Sequence, residues 1–308
     1  MFADYSWGDL MSIFAMQGFA GLILFSVYVL MALGLAIIFG QMGVINMAHG
    51  EFMILGAYVT YLTSKLFAAF LPGLFGLYFF VAMILAFIAS GGLGMAVEWL
   101  LIRHLYKRPL DTLLATWGVS LILQQLYRTV FGAREVGVEI PQWMMGSLTL
   151  TDTIEIPING LFVMVLAIGI SVAIYVLMYR SGWGLQVRAV VANRAMADAV
   201  GINTARTDRL TFGVGCGVAG VAGAAFTMIG STGPTAGQLY IVDTFLVVVF
   251  GGAGNLLGTI VSAFSISQGQ SILEFFLSGS TAKVLTLLTV VIILMVRPQG
   301  LFALKLRK

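Results

Sequence analysis

Charge is scarce in this chain of 308 residues: Asp, Glu, Lys and Arg make up 9% of it, against 60% hydrophobic residues. So few charges cannot cover a water-soluble fold. A mean hydropathy of +1.01, with several runs long enough to cross ~30 Å of hydrocarbon, describes a polytopic integral membrane protein. A single cysteine, Cys216, excludes a disulfide framework and a Cys-rich metal site, and its apolar surroundings suit an inert buried thiol. With only His49 and His104, and no His-Glu-x-x-His sequence, an intramembrane zinc protease has no ligand set. No glycine precedes any lysine, so the chain holds no P-loop for ATP phosphates. Neither a Gly-x-Ser-x-Gly elbow nor a potassium-channel filter sequence occurs.

What is present is apolar sequence in long runs. Hydropathy places spans near 18–39, 43–62, 75–101, 111–131, 160–179 and 209–231, with a broken apolar region over 241–297. Counting that region as two or three crossings predicts an all-α polytopic transmembrane bundle of eight or nine segments, in one transmembrane domain over 1–308. The first ten residues (MFADYSWGDL) lack Lys, Arg and a cleavage signature, so the first run is expected to be a retained span. Short loops rich in Lys and Arg stay in the cytoplasm. Arg103, Lys107 and Arg108, then Arg180, Arg188, Arg194, Arg206 and Arg209, then Arg297, Lys305, Arg307 and Lys308 supply twelve of the sixteen basic residues. The amino terminus with Asp4 and Asp9, and the 132–158 loop with Glu135, Glu139, Asp152 and Glu155, then lie outside. An outside start and an inside finish need an odd number of crossings. Either 241–297 holds three short segments or one run enters and returns; Gly251, Gly252, Gly254, Asn255 and Gly258 mark the break, and a broken or re-entrant segment is the favoured form.

Polar residues at membrane depth need partners or water. Asn46, His49 and Glu51 stand at the start of an otherwise apolar span among Gly40, Gly43 and Gly50. At 100° per residue Asn46 and His49 share a helix face while Glu51 points almost opposite to His49. Two arrangements follow: Asn46 and His49 line a pathway while Glu51 bonds a neighbouring helix, or the helix unwinds near Gly43 and Gly50. Capping and packing at the membrane edge explain the same residues equally well. Phe250-Gly251-Gly252-Ala253-Gly254-Asn255 weakly echoes Phe39-Gly40-Gln41-Met42-Gly43 followed by Asn46; paired broken helices mark substrate sites in duplicated transporters, and coincidence in a glycine-rich apolar chain explains the echo equally well. Further polar sets, Thr112, Thr116, Trp117, Ser120, Gln124 and Gln125, and later Ser262, Ser265, Ser267, Gln268, Gln270, Ser271 and Glu274, suit either a neutral hydrogen-bonding solute or contacts between helices. From these sets Asn46, His49, Glu51, Thr116, Asn255 and Gln268 are the candidate pathway residues. Gly213, Gly217, Gly220 and Ala224, with Gly215, Ala219, Ala222 and Gly223 beside them, give a smooth helix suited to close packing.

The longest polar interruption is 180–209. Arg188 to Val200 is Ala-rich, free of Pro and internal Gly, and followed by Gly201, which predicts a short helix with Arg194 and Asp198 one turn apart. Such a helix between two spans can dock on a cytoplasmic ATPase; an ordinary basic inner loop is the plainer reading.

Three segments carry a resemblance: GQMGVINMAHGEFMILGAY (40–58), ANRAMADAVGINTARTDRL (192–210) and VVVFGGAGNLLGTIVSA (247–263). They resemble the permease subunits of ABC importers for branched-chain amino acids and related solutes, over about 20–302. Within that family RPLDTLLATWGVSLILQQLYRTVFGA (108–133) and RPQGLFALK (297–305) look most like the urea-type permease. The resemblance implies a permease that performs no chemistry itself and transports by alternating access. It implies as partners a second related permease, two cytoplasmic ATPase subunits that bind ATP and Mg, a periplasmic solute-binding protein and the lipid bilayer, with no nucleic acid and no cofactor on this chain. The implied location is the bacterial inner membrane, amino terminus periplasmic and carboxyl terminus cytoplasmic. By the same resemblance 192–201 matches the ATPase-coupling segment, giving Arg188, Arg194, Ala197, Asp198, Ala199 and Gly201 as its candidate residues. Urea or a short amide is the expected solute, since ionisable groups are few at depth. A branched-chain amino acid is the alternative, and a passive urea or water channel or a membrane enzyme stands further off.

Overall fold

The structure, a computed structural model, describes residues 7–106, 108–151 and 154–302. Asp4, Lys107, Asp152, Lys305, Arg307 and Lys308, which entered the charge argument, lie outside the described residues.

Long apolar runs without internal proline fold as helices, because only helices satisfy every backbone N–H and C=O within one segment. In chain order these are α1 (Trp7–Met42), α2 (His49–Phe70), α3 (Tyr78–Leu100), α4 (Pro109–Phe131), α5 (Ile158–Arg180), α6 (Gly182–Ala192), α7 (Arg194–Ala199), α8 (Thr204–Phe226), α9 (Ala236–Gly251), α10 (Leu256–Phe276) and α11 (Gly279–Val296). Proline sits where its missing N–H does no harm: Pro109 opens α4 and Pro72 opens a 3-10 turn ahead of α3. Gly43, at φ 64°, ends α1 in a conformation that side chains rarely adopt. A small antiparallel hairpin, β1 (Ser147–Thr151) with β2 (Ile154–Pro157), lies in the loop before α5 and pairs Leu148 with Ile156.

Among the described residues, seven helices are long and apolar enough to cross a membrane: α1, α2, α3, α5, α8, α10 and α11. Two more run beside them. The 23-residue α4 has the length but carries Asp111, Gln124, Gln125 and Arg128, and α9 is apolar but has only 16 residues, about 24 Å at 1.5 Å each. The region 241–297 holds parts of three helices, α9, α10 and α11, and the expected break falls where the glycines marked it, with α9 ending at Gly251, α10 starting after Asn255, and α9 the shortest of the three.

Contacts at the helix ends define two ends of the bundle. At one end α1 meets the α9–α10 turn at Gly40 and Gly254, Leu301 N–H bonds Phe250 O at 2.8 Å, and Arg209 reaches Glu98. At the other, Lys65 faces Glu139 at 3.8 Å, Val136 pairs with Thr232, and Gln17 bonds Ser271 O. Arg103, Arg108, Arg180, Arg188, Arg194, Arg206, Arg209 and Arg297 therefore share the first end, and Glu135, Glu139 and Glu155 the second.

The centre is α8, with α1, α2 and α3 packed on it. Its small residues let backbones touch: a Cβ on Gly56 of α2 would lie 2.0 Å from Gly220 O, and one on Gly223 would lie 1.8 Å from Met53 O. The smooth face expected from the glycine spacing is this seam. The bundle exterior presents Ile84, Ile88, Val172, Val176, Ile292 and Met295, an apolar coat suited to hydrocarbon and hostile to water.

Candidate functional site

One polar seam runs between α2 and α4. On α4, Thr112, Thr116, Ser120, Gln124 and Tyr127 recur every three to four residues, are buried, and form one stripe. Facing them are the break at 43–48 and the first turns of α2. The Thr116 hydroxyl accepts from Met47 N–H at 3.1 Å and reaches Ile45 O at 3.3 Å, so α4 pins the unwound segment. Glu51 Oε1 accepts from Ser120 Oγ at 3.1 Å and Gln124 Nε2 at 2.8 Å, and Tyr127 Oη donates to Glu51 O at 2.9 Å. Higher on the seam, Tyr58 stacks on Phe131 with ring centroids 4.0 Å apart.

His49 points the other way, as the helical angle requires. Its Nε2 lies 3.1 Å from Met31 O of α1, and the ring fills the space beside Gly34. It is a fully buried wedge between helices, not a seam residue. Asn46 sits in the break, buried, its Oδ1 accepting from Ala48 N–H at 3.1 Å. Both anticipated arrangements thus hold in part: the chain unwinds at Gly43, Gly50 stays helical, and Glu51 bonds a neighbouring helix. Asn255 and Gln268 stand apart from Asn46 and Glu51. Asn255 caps α10 through Gly258 N–H at 3.1 Å and donates to Phe302 O at 3.0 Å. Gln268 donates to Gly18 O at 3.2 Å and fills the gap left by Gly21, joining α10 to α1. The two echoing glycine segments are both helix breaks, and they meet at Gly40 and Gly254.

At the basic end, the single helix expected over 188–200 is two helices. Asn193 leaves the helical conformation and its Oδ1 caps α7 at Met196 N–H, 3.0 Å away, because an Asn side chain satisfies an orphan donor better at an N-cap than in a helix interior. Gly201, at φ 86°, follows α7 as expected. Arg194 pairs with Asp208 Oδ2 at 2.6 Å, not with Asp198, which is exposed. Its guanidinium also lies 5.3 Å over the Tyr106 ring. Tyr106 Oη donates to Glu98 Oε1 at 2.5 Å, and Arg209 Nε lies 3.4 Å from Glu98 Oε2. Burial, then the bond to Glu98, pushes the Tyr106 hydroxyl above its usual range, so it remains the donor. This network ties α7 to the starts of α8 and the end of α3. Arg188 turns back instead to Met178 O and the Tyr179 ring, closing the α5–α6 corner. Ala197 is buried, whereas Met196 (62%) and Val200 (69%) stand exposed with Ala199. A cavity of about 600 Å³ opens beside them, lined by Val200, Ile202, Asn203, Arg206 and Leu210.

The family model for the "Branched-chain amino acid transport system / permease component" matches residues 18–296. The chain belongs to this permease family. Its relatives include the high-affinity branched-chain amino acid transport system permease protein LivH of Salmonella typhimurium, 28% identical over 94% of this chain and 95% of that protein. LivH of Escherichia coli K12 is 27% identical over the same shares, and BraD of Pseudomonas aeruginosa, also a high-affinity branched-chain amino acid transport system permease protein, is 26% identical over 91% of this chain and 93% of its own. No solved structure matches this permease. These relatives carry the names of branched-chain amino acid permeases, and the urea-type reading of 108–133 and 297–305 finds no support among them.

Two buried charge groups of this permease escaped the sequence reading. Glu98 with Arg209 is one. In the other, Asp243 of α9 meets Lys283 Nζ of α11 at 2.7 Å and the Tyr28 hydroxyl of α1 at 3.0 Å. Their signal was an isolated acid in an apolar run.

Proposed function

We propose that this chain is the membrane permease subunit of an ATP-driven importer for branched-chain amino acids, moving solute by alternating access. The observation that carries this reading is the family match across nearly all the helices, with relatives that are branched-chain amino acid permeases; the urea expectation gives way to its alternative. On this reading the chain pairs with a second related permease in the bacterial inner membrane. The basic end lies in the cytoplasm, the amino terminus lies in the periplasm, and 180–209 forms the coupling loop. Two ATPase subunits, holding ATP and Mg, dock there, and a periplasmic binding protein delivers solute at the other end.

The exposed apolar side chains of α7 and the adjacent cavity support docking of a partner at that end. Closure of the ATPases would push α7, and the Arg194–Asp208 and Glu98–Arg209 pairs would pass the displacement to α8 and α3. The α2–α4 seam, with Asn46, Glu51 and Thr116, is the proposed solute pathway. Docking is tested by co-purifying the ATPase subunits with this chain. The double variant Met196→Glu, Val200→Glu should insert normally but lose the ATPases; retention at wild-type stoichiometry would remove α7 from the interface.

A further inference from the structure

Four carboxylates are buried among the described residues: Glu51, Glu98, Asp208 and Asp243. Three have a basic partner, Arg209, Arg194 and Lys283 respectively. Glu51 has none among the described residues. Its side chain is 1% exposed and lies at membrane depth, where an uncompensated charge is costly. Oε1 is satisfied by Ser120 and Gln124, but Oε2 is buried without a partner. Two donors of the same seam, Asn46 Nδ2 and Tyr58 Oη, are also buried without an acceptor.

These unsatisfied groups have a common complement. An α-amino acid brings one cation that an unpaired carboxylate lacks and one carboxylate that unpaired donors lack. The seam also holds an apolar cluster separate from the main core, built by Ile54, Tyr58, Leu123 and Tyr127, of a kind that suits a branched aliphatic side chain. We propose that Glu51 is the group that accepts the α-ammonium of the transported amino acid, and that it sets the permease's preference for a zwitterion over a neutral amide. This rests on the amino-acid reading above. The seam is closed around Glu51, so the solute gains it by displacing α4, whose principal neighbour in the bundle is α2.

The test uses the full importer, with its partner permease, ATPases and binding protein, reconstituted in proteoliposomes and assayed for initial uptake of labelled leucine. Glu51→Gln removes the charge but keeps an acceptor for Ser120 and Gln124, so a residue that only packs the seam would leave uptake within about twofold of wild type. The proposal expects a loss of at least about tenfold, since hydrogen bonds to charged groups exceed neutral ones by that order. It further expects recovery in Glu51→Gln, Gln124→Glu, which returns the carboxylate one hydrogen bond away on α4. Near-wild-type uptake by the single variant overturns the proposal. Should the single variant fail to assemble, an assembled but inactive double variant overturns it as well. A wild-type importer that ignores leucine contradicts the amino-acid reading instead, so the two failures are distinguishable.

Discussion

Removing the Arg194–Asp208 pair should loosen α7 without unfolding the bundle. Asp208 is 5% exposed and Arg194 47%, so the pair lies between two regimes. Fully exposed pairs contribute ~0.2–1 kcal/mol, and breaking a fully buried one costs ~3–5 kcal/mol. A value of about 1–2 kcal/mol for the docking of α7 on α8 is then reasonable, which is roughly a 5- to 30-fold change in the docked-to-undocked ratio. The buried Ala197 and the Ile202 N–H to Ala197 O bond at 3.0 Å still hold α7 locally, so the helix itself persists. Arg194→Gln and Asp208→Asn should each lower solute moved per ATP hydrolysed by a factor in that range. The charge swap Arg194→Asp, Asp208→Arg should restore part of it, while Arg194→Lys should be mild. The assay is the ratio of labelled leucine uptake to phosphate release in proteoliposomes. An unchanged ratio in both single variants would refute the idea that this pair carries the displacement.

Close backbone packing gives a sharp contrast. Gly56→Leu puts side-chain atoms against Gly220 O and should destabilise the chain by about 3 kcal/mol or more, whereas Gly118→Ala, with nothing within 4 Å, should be neutral or stabilise α4 by roughly 0.5–1 kcal/mol; thermal unfolding in detergent separates the two. Lys283→Met leaves Asp243 with the Tyr28 hydroxyl and no cation, and should destabilise by about 1–3 kcal/mol, with most of the loss recovered when Asp243→Asn is added; the same unfolding measurement checks it.

Helix positions and the packing face of α8 were legible because composition and glycine spacing act locally. So was the divergence of His49 and Glu51, which follows from the helical angle alone. The segment 188–200 shows the limit of that logic: helix propensity favoured one helix, but Asn193 is a cap former and the cap won. Sequence spacing offered Arg194 only Asp198, one turn on; packing of α7 against α8 brings it to the buried Asp208 instead. Pairs such as Glu98 with Arg209, 111 positions apart, exist only once α3 and α8 are packed. The leaning toward a neutral solute rested on a shortage of ionisable groups at depth; what the structure adds is that one buried acid, Glu51, has no basic partner among the described residues.

The central claim is the solute. Uptake of labelled leucine and labelled urea, each at low micromolar concentration, compared in nitrogen-starved cells with and without this gene, tests it directly. The account predicts loss of leucine uptake with urea uptake unchanged. Loss of urea uptake with leucine uptake intact would contradict it.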